Sequence, residues 1–151
     1  MKTILTIAIL SFSVTVALAQ PETDAIKQTV SNLFIAMKTG DSALLRSCFT
    51  DTAILQTILV QDHQTIIRNE TVTQFAHTVS RLPKGAADER IVFGNIQQEA
   101  SLATVWAPYR FYFQNIFSHC GVDHFVLIKS ENKWKIQYLI DTRRKTDCDA
   151  P

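Results

Sequence analysis

Between Pro21 and Lys38 the large apolar residues fall at Ile26, Val30, Leu33, Phe34 and Met37, the spacing of one face of an amphipathic helix. Glu22 and Asp24 suit the first turn of that helix, where unpaired amides attract negative charge, and Gly40 suits its C-terminal stop. Asp41 then stands where the cap of a short second helix carrying Leu44, Leu45 and Cys48 belongs. Ala53 to Val60 is rich in β-forming residues, and after the polar Gln61-Asp62-His63 the run Gln64 to Arg68 predicts a partner strand. Thr71 and Gln74 have capping-box spacing, and Val72, Phe75, Val79 and Leu82 repeat with helical period, so a third helix is predicted to end before Pro83.

Past the loop Pro83 to Asp88 the period changes to that of strands. Four are predicted: Arg90 to Glu99, Leu102 to Phe113, Phe117 to Ser130, and Lys133 to Thr142. Their turns are Ala100-Ser101, Gln114-Asn115 and Glu131-Asn132. Helices first and an antiparallel meander afterwards define an α+β fold. The polar tail from Arg143 to Pro151 is expected to leave the sheet.

With both later turns two residues long, Arg110 stands opposite His119, Trp106 opposite Asp123, Asp123 opposite Ile140, and Phe125 opposite Tyr138. Side chains alternate along a strand, so Trp106, Arg110, His119, Asp123, Phe125 and Tyr138 are expected on one face, with Leu127, Trp134 and Ile136 extending it. Apolar walls with a few convergent polar groups are how a small-molecule pocket is built. The opposite face then carries Ala103, Val105, Ala107, Tyr109, Val122, His124, Val126, Ile128 and Leu139, too apolar for open water and expected to join two subunits as a homodimer. The same register puts Cys120 opposite Arg143, which makes Cys120 and Cys148 the disulfide if one forms.

Residues 1–19 change the compartment. Lys2 precedes an apolar run from Ile4 that ends in Ala17-Leu18-Ala19, the pattern of a secretory signal cleaved before Gln20. The run is shorter than the roughly 20 apolar residues of a bilayer span, so the mature form is expected to be exported, periplasmic or secreted, and free of the membrane. Residues 20–151 then make one domain. The 151-residue chain has 15 Lys+Arg against 14 Asp+Glu, and losing Lys2 balances the mature form, which argues against a nucleic-acid partner. Hydrophobic residues at 46% with only four Gly and four Pro support a sizeable core. Of the three Cys, Cys48 sits in a helical apolar stretch and reads as a buried inert thiol.

The chain has no nucleophile elbow, zinc-protease helix, phosphate-binding loop or dinucleotide fingerprint. His63, His77, His119 and His124 do not define a metal site, and no cofactor is expected. Asp123 and His119 are the acid/base candidates for catalysis.

The strings Val105-Trp106-Ala107-Pro108-Tyr109-Arg110-Phe111-Tyr112, Phe117-Ser118-His119-Cys120-Gly121-Val122-Asp123, Trp134-Lys135-Ile136 and Asp141-Thr142-Arg143-Arg144 carry a resemblance. Over residues 22–148 the chain resembles the NTF2-like (SnoaL-like) superfamily, in its exported bacterial branch labelled putative lumazine-binding. The resemblance implies a cone of curved antiparallel sheet closed by three helices, with a central pocket and dimerisation through the outer face. It also implies a choice of functions, since one cup hosts isomerases, dehydratases, cyclases and plain binding modules. The expectation is an exported small-molecule-binding protein. The alternatives are a cofactor-independent isomerase, dehydratase or cyclase using Asp123 or His119, and a dimeric interaction module with a vestigial pocket.

Overall fold

The structure is a computed structural model and describes residues 19–148. The expected leader lies outside the described residues apart from its last position, Ala19. Helix α1 (Ala19–Thr39) buries Ile26, Val30, Leu33, Phe34 and Met37, the face its periodicity marks, and Gly40 turns the chain at φ 74°. Helix α2 (Ser42–Ser47) starts at Asp41, whose side chain accepts from the Ala43 and Leu44 amides. Helix α3 (Val72–Ser80) starts at Thr71 with the full reciprocal capping box to Gln74 and buries Ala76 and Val79.

Seven strands form one curved, unclosed sheet: β1 (Phe49–Gln61), β2 (Gln64–Glu70), β3 (Ala87–Ile91), β4 (Ile96–Glu99), β5 (Leu102–Phe113), β6 (Ile116–Ser130) and β7 (Lys133–Thr142). The order is β2-β1-β7-β6-β5-β3, with β4 pairing the other end of β5. Strand β1 lies parallel to β7, so the sheet is mixed where an antiparallel meander was expected. The predicted strand over 90–99 is two strands, β3 and β4, separated at 92–95, where the Gly94 amide donates to the Trp106 carbonyl. The hairpin turns Asp62-His63, Gln114-Asn115 and Glu131-Asn132 all hold both residues at positive φ, the geometry that matches strand twist. The three helices lie across the inner face, and Phe34 of α1 meets Phe125 of β6 edge-on with ring centroids 6.2 Å apart. Among the described residues no helix is long and apolar enough to cross a membrane.

Two bulges correct the expected faces. Next to the β5–β6 turn the pairs are as predicted, Phe113 with Ile116 and Tyr112 with Phe117, but Ser118 is an extra residue and the next pair is Phe111 with His119. Every later pair is displaced by one, so Arg110 faces Cys120, Trp106 faces His124 and Ala107 faces Asp123. On β7 the extra residue is Gln137, after which Tyr138 pairs with Val126, Leu139 with Phe125, and Asp141 with Asp123. Gln137 is held by β1, whose own irregularity lies opposite: it donates to the Thr52 carbonyl at 3.1 Å and accepts from Thr50 at 2.8 Å. Trp106, Arg110 and Tyr138 therefore stand on the outer face. Ala103, Val105, Ala107 and Tyr109, expected outside, are buried inside, and Leu139 packs against the same core.

The tail does not leave the sheet as expected. Arg144 bridges Cys120, the two exchanging backbone hydrogen bonds of 2.9 Å, and Cys120 and Cys148 form a disulfide with Cα atoms 5.8 Å apart.

Candidate functional site

The inner face of the sheet, α1 and α3 enclose a cavity of about 320 Å³. Its apolar walls include Leu33, Phe34 and Met37 of α1, Phe75 and Val79 of α3, and Leu139 of β7. Its polar end is built by two cross-strand rows. One runs Thr57, Asp141, Asp123, Ala107 across β1, β7, β6 and β5, and the other runs His119, Phe111, Glu89 across β6, β5 and β3. Between His119 and Asp123, Gly121 presents no side chain, and the Thr142 carbonyl with the Tyr109 ring beside it occupies that space.

Asp141 is the anchored carboxylate. It accepts from Thr57 Oγ1 at 2.6 Å and from Arg143 Nε at 2.8 Å, while Tyr109 Oη, 3.4 Å away, donates to the Thr142 carbonyl at 2.9 Å. Burial, reinforced by the carboxylates of Glu89, Asp141 and Asp123, pushes the Tyr109 phenol up, so it stays a donor.

Asp123 is different. It is 4% exposed, lines the cavity, and its Oδ2 has no hydrogen-bond partner among fixed donors. Of the charged groups that act on it, Glu89 acts most strongly, then Asp141 and Arg143, and Glu89 is another acceptor unless a proton stands between them. Burial first, and then the Glu89 carboxylate, raises Asp123 well above the ordinary carboxylate range, while burial pushes Glu89 up to about 7. With a proton on Asp123 the two carboxyls become donor and acceptor to each other, while the other acceptor sites of the pair keep no fixed donor. Burial also raises Glu70, near Arg143 and Asp141, and burial together with Arg143 lowers His119, which is therefore a neutral imidazole at pH 7. Among the described residues no three His, Cys, Asp or Glu side chains converge as metal ligands would.

Of the six residues expected on one face, the structure brings His119 and Asp123 to the cavity. Phe125 shares the inner face but is fully buried in the core beneath. Trp106 is half exposed on the outer face against the His124 ring, and Tyr138 donates to Gln56 at 2.5 Å. Arg110 donates to the Cys148 carbonyl and lies beside the Phe117 ring, so it holds the tail and does not clamp Asp123. Sequence reasoning missed Glu89, Asp141, Arg143 and Tyr109. Asp141 and Arg143 lay inside the C-terminal block that carries the resemblance, and Glu89 had no signal beyond its place at the start of a strand.

Fold and cavity together define an NTF2-like protein. The chain belongs to the family described as "Putative lumazine-binding", which matches residues 21–138. Its structure is similar to an NTF2-like protein of unknown function from Shewanella baltica OS155, with TM-score 0.68 and 18% identity over 86% of this chain and 99% of that one. It is also similar to an NTF2-like protein of unknown function from Silicibacter pomeroyi DSS-3, with TM-score 0.63 and 12% identity over 85% and 100%. A domain of unknown function with a cystatin-like fold from Nostoc punctiforme PCC 73102 gives TM-score 0.65 and 15% identity over 86% and 82%. At these identities the likeness concerns the fold. No curated protein matches the chain.

Proposed function

We propose that the protein binds a small, largely apolar molecule in the central cavity and fixes its polar group at Asp123 and Glu89. The observation that carries this reading is the buried, unpartnered Asp123 oxygen at the end of an apolar-walled space. A buried acceptor left without a donor costs about 1–3 kcal/mol, which a ligand recovers by supplying one. The test uses 1-naphthalenemethanol, a flat apolar ring with one hydroxyl, with lumazine alongside because the family carries that name. Calorimetry should give one site per chain, and Val79→Trp, which fills the cavity, should remove it. Binding that survives the filled cavity would refute the reading.

The second reading is acid/base catalysis, favoured by a proton shared between two carboxyls in a dry site. It predicts turnover of a ketosteroid, hydroxy-acid or polyketide-like substrate that disappears in Asp123→Asn while substrate binding persists.

Export and pairing belong to the same proposal. Intact mass of exported protein should show a chain beginning at Gln20. Trp106, Val122, Val126 and Tyr138 share the outer face, and light scattering should show a dimer that Val126→Glu converts to monomers.

A further inference from the structure

We propose that the molecule taken up by this cavity carries one positively charged nitrogen, held as an ammonium against Asp123 and Glu89. The inference rests on the binding reading above and names the ligand class that the site selects.

The charge balance of the lining leads to it. Four carboxyl groups line the cavity: Glu70 from the end of β2, Glu89 from β3, Asp123 from β6 and Asp141 from β7. Among the described residues that line it, the single Lys or Arg is Arg143, and its guanidinium is committed to Asp141, with a further contact of 3.2 Å to Thr57 Oγ1. His119, bonded through Nδ1 to Ser118 Oγ at 3.0 Å, is neutral, and the Tyr109 hydroxyl is spent on the Thr142 carbonyl. Once the Asp141–Arg143 pair is discounted and one proton is assigned to Asp123 and Glu89, that pair still carries one negative charge, which Arg143 eases through its field while giving its hydrogen bonds to Asp141 and Thr57.

Water or a hydroxyl can donate to the bare Asp123 oxygen, but neither neutralises the charge. An ammonium does both, because its N–H groups donate while its charge offsets the one negative charge that the proton-sharing pair retains. An anion meets the carboxyl groups of Glu89, Asp123 and Asp141 at the polar end, where the Arg143 guanidinium is bonded to Asp141. The apolar walls require the rest of the molecule to be hydrocarbon-like, and a cavity of about 320 Å³ admits a ring system of one or two rings. The pH dependence follows from the same groups. Glu89 ionises near 7, so the pair gains its charge on passing from pH 6 to pH 8, and affinity for a cation rises over that interval.

Three probes with one ring and three head groups test this on the intact protein: 1-naphthylmethylamine, 1-naphthalenemethanol and 1-naphthoate. Calorimetry at pH 8 should place the amine at least tenfold tighter than the alcohol and the naphthoate weakest. The ratio of amine to alcohol affinity should fall toward one at pH 6 in the unaltered protein, and toward one at pH 8 in Glu89→Gln, which removes the carboxyl that ionises near 7. An alcohol that binds as tightly as the amine, or a naphthoate that binds tighter, overturns the ammonium inference while leaving the cavity's binding role in place. Failure of all three probes overturns both.

Discussion

Gly121 of β6 lies so close to the Thr142 carbonyl that a Cβ built on it would stand 1.7 Å from that oxygen and 3.0 Å from Cε1 of Tyr109. The backbone of the last strand crosses β6 at this point, and Thr142 Oγ1 accepts from the Val122 amide at 3.2 Å. Neither the carbonyl nor the buried ring is a flexible tip that can swing aside. Gly121→Ala should therefore destabilise the fold by at least about 3 kcal/mol, at the upper end for overpacking. Chemical denaturation checks the loss. A variant of unchanged midpoint would mean that the crossing is looser than the structure has it.

The carboxyl pair makes stability fall with rising pH. Asp123 and Glu89 both hold protons more tightly in the folded protein than in the unfolded chain, so their contribution is complete at low pH; that of Glu89 is lost as pH rises through its folded value, about 7, and that of Asp123 as pH rises through its own raised value. Thermal midpoints should drop between pH 5 and pH 8, with a free-energy change on the order of 2 kcal/mol. Asp123→Asn should flatten that slope and be the more stable protein at pH 8.

The Cys120–Cys148 bond closes a 28-residue segment and ties down the tail that Arg110 also holds. On the chain-entropy account Cys148→Ser should cost about 3 kcal/mol. Peptide mapping without reductant should recover the two cysteines as one linked pair.

Cys48 should behave as an inert thiol. It is 3% exposed beneath α2, and burial pushes it up to about 11. Iodoacetamide at pH 8 should leave it unmodified for as long as the protein stays folded and label it fully in denaturant.

The helices were legible because each rule acts locally: Ile26 to Met37 form one stripe, and Asp41 and Thr71 cap the helix that follows them. The hairpin turns were legible for the same reason, and the predicted pairs hold for the residues beside them. The site was not, because faces far from a turn depend on every residue between. Ser118 and Gln137 each add one residue, and each exchanges inner for outer along the rest of its strand pair. Gln137 is accommodated by Thr50 and Thr52, some 85 residues earlier in the chain, so no local pattern announces it. His119 and Asp123 reached the cavity, while Trp106, Arg110 and Tyr138 were carried to the other side.

Strand β7 stands between β1 and β6, and Thr57 pairs with Asp141, 84 residues further along. Among the described strands the one nearest the C-terminus is thus an interior one. Until Lys133–Thr142 is made, α1 can already meet Phe125 of β6, but the β1–β2 hairpin has no strand through which to join the β6–β5 part of the sheet. Folding must wait for Lys133–Thr142 to emerge, and its rate is governed by that distant, late pairing. A chain cut short before β7 lacks the strand that joins the two halves of the cavity's sheet wall.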